Sequence, residues 1–142
     1  MLTLLGLDHV VLRTDNLDAM QAFYVDVLHC TVERDVLDEL GLLQLRAGNA
    51  LIDLVMVDSE LGRIGGGKPT KTENNMDHLC LQIEPMDETA IIAHLRAHDV
   101  EFEPFAERYG AQGFGRSVYL KDPDGNTVEL KPAILSSKTQ TP

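Results

Sequence analysis

The sequence predicts an α+β protein made of two tandem βαβββ modules, and three observations carry that prediction. "LDHVVL" at residues 7–12 is written again as "MDHLCL" at residues 76–81. Shifting the chain by 69 positions places Asp8 on Asp77, His9 on His78, Leu17 on Met86 and Asp18 on Asp87. Near the module ends, "GNALIDL" (48–54) matches "GNTVEL" (125–130) with one residue of slippage, which sets Asp53 against Glu129.

The first module spans residues 1–58. Its opening run, "LLGLDHVVLR" (4–13), reads as a strand. Leu17, Met20, Tyr24 and Val27 then recur at helical spacing, with Asp15 or Asn16 able to cap the start. "TVERDVL", "LGLLQLRAG" and "NALIDLVMV" read as three short strands, with Gly41 and "AGN" as turns. Residues 59–75 are rich in Gly, Lys and Asn, and read as a linker.

The pattern starts again over residues 76–132. "MDHLCLQIE" is a strand, and "MDETAIIAHLRAH" a helix with Asp87 as cap and Ile91 and Leu95 facing inward. "VEFE" (100–103) is a strand, "YGAQGFG" (109–115) a flexible loop able to act as a lid, and "RSVYLKD" a further strand. "PDG" suits a tight turn, and "NTVELKP" closes the module. Residues 133–142 read as a flexible tail. Each module should present one strongly curved sheet.

Composition narrows the function. The net charge of −11 and a pI near 4.7 argue against nucleic acid and anionic membranes as partners. Cys30 and Cys80 lie in apolar runs and read as buried thiols in a reducing compartment. The start lacks a basic n-region and a cleavage site, and no apolar run approaches the roughly 20 residues a membrane span needs, so a cytoplasmic protein is expected.

The repeat yields one imidazole and one carboxylate per module: His9 with Asp53, and His78 with Glu129. A single such histidine is most often a surface or core residue. Recurrence of the pair at matched positions points instead to a divalent metal such as Zn, Ni, Co, Mn or Fe(II), one ion per site. Two modules related by a pseudo-twofold would bring all four ligands together. Asp53, one methylene shorter than Glu129, could bind directly, bind through water, or act as a base.

Strand alternation selects the neighbours. Val11 and Arg13 share a face with His9, Cys80 and Gln82 with His78, and Thr127 and Lys131 with Glu129. Arg13 is a candidate to hold a substrate anion. Tyr119 lies across the "DPDG" hairpin from Glu129 and could bond a substrate oxygen, and Arg116 and Ser117 enter that strand as further substrate-binding candidates. His94 and His98 form an i, i+4 pair without the intervening acid of a zincin, and read as surface residues.

"LDHVVLRTDNLDAMQAFYVDVLHC" and "GRSVYLKDPDGNTVEL" resemble the opening and closing modules of the vicinal oxygen chelate superfamily. That superfamily holds glyoxalase I, fosfomycin-resistance proteins, extradiol dioxygenases and bleomycin-binding proteins. The resemblance covers residues 4–132 and implies a curved, cup-shaped mixed sheet of the glyoxalase-like fold. It implies that His9, His78 and Glu129 are metal ligands, and that Asp53 stands where glyoxalase I carries a metal-binding glutamate.

Arg13 matches an arginine that glyoxalase I uses on glutathione, whereas Val57 replaces its usual Asn. Extradiol dioxygenases share "VYLKDPDGNTVE" but require a histidine five to seven residues before Val118, where this chain has none, residues 110–113 being Gly, Ala, Gln and Gly. The glutathione-using fosfomycin-resistance enzymes have Thr where this chain has Val11.

Closest to glyoxalase-like members, the chain is expected to be a metal-dependent lyase or isomerase. It would act on a small oxygenated metabolite or thiol adduct through a metal-stabilised enediolate, with Asp53, Glu129 and Tyr119 as catalytic residues. The alternative is a small-molecule or antibiotic binding protein. A homodimer with a small-molecule substrate is the expected assembly.

Overall fold

The computed structural model describes residues 1–3, 5–73 and 76–135. The chain divides into two compact units, Met1–Asn74 and Asn75–Pro142. Each is built around one four-stranded mixed sheet, so hydrogen bonding among the described residues gives two sheets.

The first unit runs β1 (His9–Thr14), α1 (Leu17–Ala22), β2 (Thr31–Val36), α2 (Leu37–Leu40), β3 (Leu42–Ala47), β4 (Ala50–Met56) and α3 (Glu60–Arg63). Its strand order is β1-β4-β3-β2, with β1 parallel to β4 and the other pairs antiparallel. A parallel pair needs a long crossover, and α1 with the strands behind it supplies that connection. The helix widens into a π turn over Phe23–Val27, and His29 then takes a left-handed backbone at φ 62°. Met20, Tyr24 and Val27 are buried, as their spacing predicts. Leu12, Leu43, Leu45, Ile52 and Leu54, also buried, alternate on one face of the sheet, and α1 packs against β4. The opposite face carries His9, Gln44 and Asp53.

The second unit repeats this design as β5 (Leu79–Ile83), α4 (Glu88–Ala97), β6 (Ala106–Gly110), β7 (Gly113–Lys121) and β8 (Thr127–Pro132). The order is β5-β8-β7-β6, with β5 parallel to β8. Ile91 and Leu95 of α4 are buried, as are Val118, Leu120, Val128 and Leu130 of the sheet. The β7–β8 turn is fixed by Asp122, which is itself buried. Its Oδ1 accepts from the backbone N–H of Asp124 (3.0 Å) and Asn126 (2.9 Å), and its Oδ2 from Asn126 Nδ2 (2.7 Å). Gly125 at φ 86° supplies the left-handed residue the turn requires.

Several expectations are corrected. "VEFE" forms only an isolated bridge, Phe102 with Leu120, because Pro104 lacks an N–H and stops a ladder. The strand lies later, at Ala106–Gly110. The loop expected at 109–115 is instead the β6–β7 hairpin, in which Tyr109 pairs with Phe114 and Gly110 with Gly113. The Tyr109 and Phe114 rings meet edge-on, 5.1 Å between centroids. A lid at that place is therefore withdrawn. The linker contains α3, and the first strand begins at His9 rather than residue 4; Leu4 and residues 136–142 of the expected tail lie outside the described residues. Cys30 is buried, but Cys80 is exposed. Among the described residues, no helix is long and apolar enough to cross a membrane.

Candidate functional site

Strand register brings each repeated pair together within its own unit. In the first, Val10 pairs with Ile52 and Val11 with Asp53. In the second, Leu79 pairs with Val128 and Cys80 with Glu129. The residue after each histidine thus faces the residue before each carboxylate. Alternation then puts histidine and carboxylate on one face of adjacent parallel strands.

Each histidine is steered by the aspartate preceding it. Nδ1 of His9 lies 2.6 Å from Asp8 Oδ1, and Nδ1 of His78 lies 2.6 Å from Asp77 Oδ2. A carboxylate accepts, so Nδ1 carries the proton and Nε2 is the nitrogen turned to other work. The hydrogen bond to Asp8 raises the His9 pKa above its ordinary value, opposed by partial desolvation and reinforced by Asp53. His78 Nε2 lies 3.1 Å from Glu129 Oε1.

The carboxylates are buried, Asp53 at 4% and Glu129 at 5% exposure. Asp53 Oδ2 accepts from Gln44 Nε2 at 3.0 Å. Asp53 Oδ1 has no partner, and among the described residues it is the only buried side-chain N or O atom in that condition. An orphaned buried carboxylate oxygen is costly, and a cation would satisfy it. With a preset imidazole beside it, this donor set fits a borderline divalent ion. Each unit supplies two such donors, and no group of three or more His, Cys, Asp or Glu with metal-binding geometry occurs among the described residues.

Around Glu129 the second unit gathers further polar groups. Tyr119 pairs with Glu129 across the hairpin, and its ring meets the His78 ring edge-on at 5.2 Å. Arg108 lies over the Tyr119 ring at 3.9 Å and donates from Nη1 to the carbonyl (2.7 Å) and hydroxyl (3.1 Å) of buried Ser117. Buried Lys131 donates to the carbonyls of Arg108 and of Gly115, the latter at 3.1 Å. Partial desolvation of the Cys80 sulfur, with Glu129 beside it, pushes that thiol up to about 11.

Two expected substrate arginines are placed elsewhere. Arg13 donates to three backbone carbonyls, Gly62 of α3 (3.0 Å) and, beyond it, Gly67 (3.0 Å) and Gly66 (2.6 Å), so its fork is occupied by its own chain. Arg116 alternates onto the face opposite Glu129 and forms a two-pronged pair with Glu88 at 2.9 Å. Arg108 and Gln44 are the polar neighbours that sequence pattern does not single out. Arg108 lies on β6, after Pro104, where no strand was expected. Gln44 could have been found by counting back across the β3–β4 turn from Asp53.

Comparison with known proteins agrees with this architecture. A family model for the glyoxalase/bleomycin resistance protein/dioxygenase superfamily matches residues 6–130. The chain is 31% identical over 134 residues to biphenyl-2,3-diol 1,2-dioxygenase 3 of Rhodococcus globerulus, covering 88% of this chain but only 62% of that relative. Among solved structures, an integron cassette protein from the mobile metagenome of V. cholerae matches with a TM-score of 0.72 at 24% identity, covering 94% of this chain and 99% of that one. The fosfomycin resistance protein FosX of Listeria monocytogenes matches at 0.67 and 23% identity, covering 96% and 100%. Lactoylglutathione lyase of Agrobacterium tumefaciens matches at 0.65 and 20% identity, covering 94% and 97%.

Proposed function

This chain belongs to the glyoxalase/bleomycin resistance protein/dioxygenase superfamily, and on that premise we propose that it is a metal-dependent enzyme of the glyoxalase type. It acts on a small oxygenated metabolite or its thiol adduct, as a lyase or isomerase that moves a proton. The observation carrying this reading is buried Asp53 Oδ1, partnerless beside a histidine whose tautomer is already set. His9 with Asp53 and His78 with Glu129 are the residues that would hold the ion, in a homodimer.

When bound, such an ion would supply Lewis acidity to the substrate's oxygens. The chain's own residues do the rest. Asp53 or Glu129, both buried and each placed beside a histidine, accepts the proton from carbon and returns it. Tyr119 orients a substrate oxygen beside His78. A ring-opening dioxygenase is the second reading, favoured by the 31% identity to the Rhodococcus relative. Against it, the β6–β7 hairpin offers Ala111, Gln112 and Gly113 where such chemistry calls for a histidine.

Metal analysis comes first. The purified protein is expected to hold about one divalent ion per chain, and His78→Ala or Glu129→Ala to lose it, because one lost ligand opens a four-ligand shell. Full occupancy in both variants sinks the assignment. Deuterium exchange at the carbon beside a substrate carbonyl then separates proton transfer from the second reading, for which catechol-dependent oxygen uptake is the signature.

A further inference from the structure

We propose that Gln44, held by Arg34, is the positioning residue for Asp53 and reserves the single oxygen Oδ1 for the ion. The proposal rests on the reading of Asp53 as a metal ligand. Strand register places Gln44 directly opposite Asp53, and Gln44 Nε2 donates to Oδ2 at 3.0 Å. An amide has one donating end and one accepting end, so a flipped Gln44 would turn its oxygen on the carboxylate. Arg34 prevents the flip. It pairs with Gln44 on the next strand, and its Nη1 donates to Gln44 Oε1 at 3.2 Å. A guanidinium only donates, so the amide can present only its oxygen there and only its NH2 to Asp53.

The backbone is built to this end. Pairing between β2 and β3 runs Val32 with Leu45 and then Arg34 with Gln44, leaving Glu33 as an extra, bulged residue. Without the bulge Glu33 would face Gln44. A carboxylate accepts only, and it would hold the amide in the wrong orientation. Glu33 is instead paired with Arg46 at 3.1 Å.

The second unit has a counterpart. The slot opposite Glu129 holds Tyr119, and this residue too is backed by an arginine of the outer strand, Arg108. In the first unit the relay ends in a neutral amide donor, which ties down Oδ2 without neutralising the carboxylate. The negative charge therefore stays available at Oδ1, the atom left without a partner.

The test is titration with Co(II) alone, followed by its visible absorption, with thermal melting of the metal-free protein as the check on folding. Gln44→Leu is expected to weaken Co(II) binding about 10-fold or more and to change the band, as loss of a partner that orients a ligand does. Arg34→Leu, at an exposed position, is expected to weaken it about threefold, an effect that disappears when Gln44 is already Leu. A folded Gln44→Leu variant with wild-type affinity and spectrum overturns the positioning role and leaves the metal reading intact. If Gln44→Leu fails to fold, Arg34→Leu decides alone, and unchanged binding overturns the proposal. A wild-type protein that takes up no Co(II) overturns both the proposal and the reading beneath it.

Discussion

An aspartate placed one residue before a histidine decides which imidazole nitrogen is free, and this chain does so twice, at Asp8 and Asp77. The effect can be measured at His9, whose pKa is raised chiefly by its bond to Asp8. Asp8→Asn is expected to bring that pKa down toward the ordinary histidine value in the metal-free protein, read from the ring proton shifts by NMR. The sign for stability follows. A folded pKa above the unfolded one means the stabilisation is fully present below the unfolded value and is lost as pH rises through the folded one. The variant should lack that acid-side contribution. Identical His9 titration curves in both proteins would show that Asp8 does not govern the ring. Asp8 is exposed, so the expected stability change is small, and the titration is the sensitive readout.

Short elements hold the first half-site in shape, and α3 is the clearest case. Ser59 caps it, its Oγ accepting from the Gly62 N–H at 2.9 Å and donating to the Met56 carbonyl at 2.7 Å. Gly62 is pressed against the end of β4: a Cβ there would lie 1.9 Å from the Met56 carbonyl oxygen. Gly62→Ala should therefore push α3 off the strand, loosen the Arg13 latch and cost about 1–3 kcal/mol in urea unfolding. Gly67→Ala, where an added Cβ meets nothing within 4 Å, should stay within about 0.5 kcal/mol. Equal effects would refute the steric account. Elements of this kind also mark where sequence reading stops. The repeat, the long helix α4, the strands bearing His9, Asp53 and Glu129 and the strand that His78 precedes are legible, because apolar periodicity and a histidine written twice are local signals. Three things were not legible. The β6–β7 hairpin hid behind three glycines that suggested a mobile loop, although Gly110 and Gly113 are paired strand residues. Arg13 and Arg116 looked like substrate-binding residues, but their partners, three glycine carbonyls and Glu88, lie far away in sequence. The Gln44 relay depends on a one-residue bulge, which no periodicity reveals.

At the scale of the whole molecule, the proposed homodimer asks which half-sites combine. Each unit carries one histidine and one carboxylate, so a set of four needs two units, and a partner chain is expected to supply one of them. Mixing two damaged proteins decides the matter, one carrying His9→Ala and the other His78→Ala. If each site takes its first half from one chain and its second from the partner, the mixed dimer contains one doubly damaged site and one intact site. Random exchange makes half the dimers mixed, so metal binding should return to about a quarter of the wild-type amount. If each site lies within a single chain, every site keeps one lesion and mixing restores nothing. Subunit exchange is verified first by native mass spectrometry, since chains that fail to trade partners would imitate that second result. Absence of recovery after proven exchange would refute sharing between chains. It would leave the four ligands themselves untouched, because both single variants would still have lost their metal.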